Sequence, residues 1–132
     1  MRRILLDTHA LIWALESPEL LPPNAAEQIL DVDNEVFVSQ ISFFEIAIKQ
    51  ALGKITLQLG LVGLIEETRK QSIEILPLGD AHLLAYTQLP LHAEHRDPFD
   101  RAIIATAFCE QLEVITVDRK FKLYPTWVRL IW

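Results

Sequence analysis

Hydrophobic and polar positions switch between two periods along this chain, and the switching predicts strands separated by helices. Ile4-Leu5-Leu6 is a short apolar run closed by an acid, so residues 3–7 read as a buried strand. Residues 8–15 then follow a helical period that Ser17-Pro18 closes, and Pro22-Pro23-Asn24 opens a second, amphipathic helix to about residue 32. Residues 35–39, Glu-Val-Phe-Val-Ser, are rich in β-formers and read as the second strand. A helix over 41–52 carries Glu45 and stops at Gly53. Residues 61–72 read as a helix charged on one face, and 73–76 as a third strand ended by Pro77. Asp80 is placed as the cap of a helix reaching about Gln88, and 89–96 as a loop. Asp97 precedes Pro98, a residue favoured at the first helical position, so Asp97 reads as an N-cap. Ile103, Ile104, Ala107 and Phe108 then recur at helical spacing and predict a buried face. Residues 113–117 are the fourth strand, and 127–131 a fifth at an edge.

Strands alternating with helices of this length imply right-handed crossovers. The expected fold class is α/β, with a three-layer α/β/α arrangement around a mostly parallel sheet of four or five strands. A length of 132 residues without repeats or linkers fits one domain, 1–132.

Composition narrows the class. Hydrophobic residues at 51% and charged residues at 23% argue against disorder. Cys109 stands alone and has no disulfide partner, which fits a reducing cytoplasm. Met1-Arg2-Arg3 before an apolar run resembles the start of a signal peptide, yet Asp7 and His9 interrupt it too early. The longest uncharged apolar stretch, 56–65, is too short to span a bilayer, so no membrane is expected. A net charge of −6 counts against a general nucleic-acid binder. Its distribution weakens that objection, because after Asp118 the chain holds Arg119, Lys120, Lys122 and Arg129 and no acid.

The acids carry the candidate chemistry. In a parallel sheet, Asp7 and Asp118 fall at the carboxyl ends of strands, while Glu45, Asp97 and Asp100 lie near helix starts on the same edge. If they converge, their mutual repulsion calls for a divalent cation, and oxygen ligands select magnesium or manganese. His9 without cysteine partners makes zinc a poor fit.

Four segments carry a more specific message: Leu6-Asp7-Thr8-His9-Ala10-Leu11, Ser42-Phe43-Phe44-Glu45-Ile46-Ala47, His95-Arg96-Asp97-Pro98-Phe99-Asp100-Arg101 and Thr116-Val117-Asp118-Arg119-Lys120-Phe121. Together and in this order they resemble the PIN-domain ribonucleases, particularly the VapC-type toxins. The resemblance implies a magnesium- or manganese-dependent endoribonuclease of a toxin–antitoxin pair, with an RNA substrate, a cognate antitoxin and a homodimeric state. It implies Asp7, Glu45, Asp97, Asp100 and Asp118 as catalytic acids, with Asp7, Asp97, Asp100 and Asp118 as cation ligands. On the helix, Asp100 is favoured as the inward-facing ligand and Asp97 as cap or second ligand. Thr8 and Thr116 are placed to orient carboxylates.

Each of these residues also has a plainer reading. Asp97 fits a helix cap as well as a ligand, and Asp118 fits the cap of a turn. Glu45 is ordinary if solvated and costly if buried, so its exposure decides. Arg101 fits a surface ion pair better than a phosphate contact, whereas Arg119 and Lys120 beside Asp118 suit an RNA backbone. Trp13, Phe43, Phe44 and Phe108 read as core. Trp13 and the helices within 11–30 and 41–52 also offer a groove for an antitoxin helix or a dimer face. Two other functions compete: a non-catalytic cation- or partner-binding module, and a phosphatase with Asp7 as nucleophile. The second would place another acid where His9 stands.

Overall fold

Ile4, Leu5 and Leu6 are fully buried on alternate faces of the first strand, and the remaining elements supply what covers them. The computed structural model describes residues 1–132. β1 (Arg3–Leu6) lies between β2 (Glu35–Ser39) and β4 (Glu113–Ile115). Beyond them come β3 (Glu74–Leu76) and β5 (Leu130–Ile131), giving the order β3-β2-β1-β4-β5. All four pairings are parallel.

The helices are α1 (Thr8–Glu16), α2 (Pro23–Leu30), α3 (Gln40–Ala51), α4 (Gly60–Lys70), α5 (Asp80–Gln88) and α6 (Pro98–Glu110), with 3₁₀ turns at Pro18–Leu20 and Arg119–Leu123. Strand pleating sorts the core into two layers. Ile4, Leu6, Val36, Val38 and Ile115 meet Leu11, Ala25, Ile46 and Leu64 of α1 to α4. Leu5, Phe37 and Val114 meet Ile103, Ile104 and Ala107 of α6, with Phe121 and Tyr124 beside them. The three-layer α/β/α arrangement is therefore observed, and its sheet is wholly parallel. No helix is long and apolar enough to cross a membrane.

The strand order reverses at β1: the chain steps outward through β2 and β3, then returns to β4 on β1's other side. Crossovers leaving in opposite directions open a crevice at the carboxyl ends of β1 and β4.

Several boundaries differ from the sequence reading, each for a local reason. β4 ends at Ile115; the Thr116 amide still donates to the Ile131 carbonyl, but its hydroxyl then accepts the Asp118 amide in a local turn, so the ladder does not continue to residue 117. β5 shrinks to two residues because the Trp127 and Val128 amides bond back to the Tyr124 carbonyl. α2 ends at Leu30, where Asp31 accepts from the Asp33 amide in a local turn. Asp80 lies inside α5 rather than capping it; Gly79 is the cap, and its amide donates to His82 Nδ1 at 3.0 Å. The expected aromatic core is only partly right. Phe43 is buried and Trp13 half-buried, but Phe44 is 58% and Phe108 46% exposed. With Phe43 and Ile46 facing the core, the helical step turns Phe44 outward, where it meets Phe99 edge-on.

Helix α6 ends on Gln111 in the left-handed region, φ 57° and ψ 52°, a conformation that penalises a side chain. Gln111→Gly is expected to stabilise the fold by about 0.5–1 kcal/mol, seen as a higher urea midpoint at unchanged slope. A lower midpoint would show that the glutamine side chain supports the turn.

Candidate active site

Asp7 follows directly on β1 and caps α1. The Ala10 amide donates to its Oδ1 at 2.7 Å, and the Thr116 hydroxyl donates to its Oδ2. Thr116 accepts in turn from the Asp118 amide at 3.0 Å, so one threonine ties together the chain segments leaving β1 and β4. Asp118 caps the following 3₁₀ turn through the Lys120 amide, 2.9 Å from its Oδ1.

Glu45 is 3% exposed, which removes the solvated reading. Thr8 donates to its Oε1 and Lys49 to its Oε2, both at 2.6 Å. With its single proton committed to Glu45, Thr8 accepts from Ser42 at 3.0 Å. Each threonine therefore holds a carboxylate oxygen, Thr8 one of Glu45 and Thr116 one of Asp7.

Asp97 caps α6, its Oδ1 accepting from the Phe99 and Asp100 amides at 2.8 and 3.0 Å. Asp100, one turn on, presents Oδ2 to His95 Nε2 at 3.1 Å. All five acids line one cavity of about 220 Å³ without a hydrophobic residue, together with Thr8, His9, Lys49, His95, Arg96 and Lys120. Larger hollows lie at the β3 edge and at the amino ends of the strands, but neither collects acids in this way.

The charges in this cavity do not balance. Burial pushes the Asp7 carboxyl above its ordinary range, against the lowering effect of Thr116 and the Ala10 amide. Asp100 is pushed up to about 8, first by burial and then by Asp97, Glu45, Asp118 and Asp7. The hydrogen bond to Glu45 holds Lys49 above the usual lysine range. Lys49 is also the only lysine or arginine in ion-pair contact with any of the five acids. An excess of crowded carboxylate oxygens is the donor set a hard divalent cation fits. A second geometric grouping, ligand atoms of His95, Asp100 and Asp118 within 4.8 Å of one another, includes an imidazole. Both of its nitrogens are already engaged, with Tyr124 and Asp100, so the oxygens are the better match.

Among the basic residues singled out in the sequence, Lys120 lies on the cavity wall, while Arg119 is exposed outside it. Arg101 contradicts both of its readings. It is 5% exposed, touches no carboxylate, and donates to the Pro90 carbonyl and the Tyr124 hydroxyl. The reason is helical geometry: one step beyond Asp100, the α6 surface turns into the second core layer. His95, Lys49 and Arg96 were missed as cavity residues. The spacing of Lys49 four residues after Glu45 on a helix was the available signal.

The sequence pattern that defines the PIN domain matches residues 4–125. The chain belongs to the PIN-domain family. Among curated proteins this PIN chain is similar to Ribonuclease VapC22 of Mycobacterium tuberculosis, 28% identical over 123 residues and 92% of each chain. Its fold is similar to VapBC2 from Rickettsia felis bound to a promoter DNA fragment, at TM-score 0.72 and 18% identity, covering 98% of this chain and 97% of the other. It is also similar to VapBC-5 of Mycobacterium tuberculosis, a member of the VapBC family of toxin–antitoxin systems, at TM-score 0.63 and 21% identity over 99% of this chain and 97% of the other.

Folding raises the Asp100 pKa from 3.8 to about 8, so the folded chain holds this proton more tightly than the unfolded chain. That stabilisation is complete below about pH 4 and is lost as pH climbs through about 8. In metal-free PIN protein, Asp100→Asn is therefore expected to melt higher than wild type at about pH 9, on the order of 5 °C, with the gap closing toward pH 4. A variant that melts lower at high pH would show that the carboxylate is not crowded.

Proposed function

We propose that this chain is a metal-dependent endoribonuclease and the toxin of a VapBC-type pair. The observation that carries the reading is the convergence of Asp7, Glu45, Asp97, Asp100 and Asp118, from four separate segments, on one cavity at the point where the strand order reverses. The similarity to a protein named a ribonuclease and to a toxin–antitoxin complex supports the substrate and the partner. Asp7, Asp97, Asp100 and Asp118 would hold Mg²⁺ or Mn²⁺. When bound, the cation supplies an activated water and neutralises charge building on the phosphodiester.

The chain's own residues do the rest. Ala10 and Thr116 restrain the Asp7 carboxylate, and Thr8 with Lys49 restrains Glu45. Lys49, Arg96 and Lys120 on the cavity wall offer positive charge to phosphate oxygens, with exposed Arg119 nearby in sequence. Residues 1–132 act as one domain in the cytoplasm, bound by a cognate antitoxin. Exposed apolar side chains such as Phe44 and Leu84 support a homodimer.

Purified protein freed of its partner is expected to cleave RNA with Mg²⁺ or Mn²⁺ and to stop on chelation. Asp7→Asn and Glu45→Gln are each expected to lower the cleavage rate roughly 100-fold or more, with the fold intact by circular dichroism. Cleavage that survives chelation and both substitutions would overturn the proposal.

A further inference from the structure

Three buried side chains run in line from the second core layer to Asp100. Arg101 Nη1 donates to the Pro90 carbonyl at 2.8 Å and to the Tyr124 hydroxyl at 3.0 Å, and its guanidinium lies 5.1 Å from the centre of the Tyr86 ring. A guanidinium only donates, so the Tyr124 oxygen accepts. The other partner of that hydroxyl is His95 Nδ1 at 2.9 Å. Its proton therefore goes to Nδ1, and an accepting ring nitrogen carries no hydrogen. The imidazole proton sits on Nε2, 3.1 Å from Asp100 Oδ2. The opposite tautomer would leave the Tyr124 proton without an acceptor in a fully buried site.

We propose that His95 is a positioning residue of the acid site: locked as the Nε2–H tautomer by Arg101 and Tyr124, it holds Oδ2 of Asp100 and leaves Oδ1 for a cation. This rests on the metal-dependent reading above. It separates His95 from the ligands, because a nitrogen that carries a proton cannot coordinate. It also gives Arg101 a function at a distance from any phosphate. His95 itself is 2% exposed, so the constraint is transmitted through packed, hydrogen-bonded groups rather than through water.

The test begins with nitrogen-15 histidine spectra of the wild-type chain, without metal and with Mg²⁺. The Nε2–H tautomer of His95 is expected in both. Calorimetry with Mn²⁺ then compares wild type, Tyr124→Phe, His95→Ala and His95→Gln. Tyr124→Phe keeps the ring and removes the hydroxyl; it is expected to release the tautomer and weaken Mn²⁺ binding about 10-fold. His95→Ala is expected to weaken binding at least as much, and His95→Gln, whose amide N–H can stand in for Nε2–H, to recover most of it. An Nδ1–H tautomer, or loss of the Nε2 proton on adding Mg²⁺, would overturn the assignment. So would variants that melt lower yet bind Mn²⁺ as wild type does. A wild-type chain that binds no Mn²⁺ would overturn both this proposal and the metal-dependent reading, whereas unaffected variants beside a binding wild type would remove this one alone.

Discussion

Unbalanced negative charge is the constraint on which this architecture turns. Five carboxylates share one small cavity, and a single lysine pairs with one of them. Water screens such a cluster poorly once it is enclosed, as the upward displacement of Asp7 and Asp100 shows. The fold spends stability to keep these groups together. Nothing in core packing requires it, since both apolar layers close without any of the five.

The backbone makes the crowding tolerable through helix starts. Asp7 caps α1, Asp97 caps α6 and Asp118 caps the 3₁₀ turn, so three of the five carboxylates face unpaired amides and the positive end of a helix or turn. Cap and ligand, posed as alternatives on the sequence, are compatible: Asp97 and Asp118 each commit Oδ1 to backbone amides and still line the cavity. The parallel sheet adds direction. Strands that all point the same way deliver the loops after β1 and β4 to one edge, and the reversal of strand order keeps a helix from filling the space between them.

Much of this was legible in the residues. Apolar runs such as Ile4-Leu5-Leu6 and Val36-Phe37-Val38 mark strands buried on both faces, and an acid closing the first run is hard to explain otherwise. Helix caps at Asp97 and the stop at Gly53 depend on neighbours a few residues away, so local pattern suffices. Which partner a buried side chain meets across the chain was less legible. Thr116 reads as a residue that orients a carboxylate, but that this is Asp7, 109 positions away, has no local signal; nor has the meeting of His95 with Tyr124 across 29 positions, and a hydrogen bond's direction depends on which group lacks another partner. Arg101 illustrates the limit: an arginine beside an acid motif suggests an ion pair, yet one helical step carries it into the core. Phe44 fails in reverse, as an aromatic that the same step turns outward.

Anomalous diffraction from crystals of this chain soaked in Mn²⁺ tests the central claim most directly. The account predicts an ordered manganese peak inside the cavity, in contact with carboxylate oxygens of Asp7 and Asp100, with His95 outside its coordination sphere. A cavity that stays free of manganese while the five acids keep their positions would contradict it.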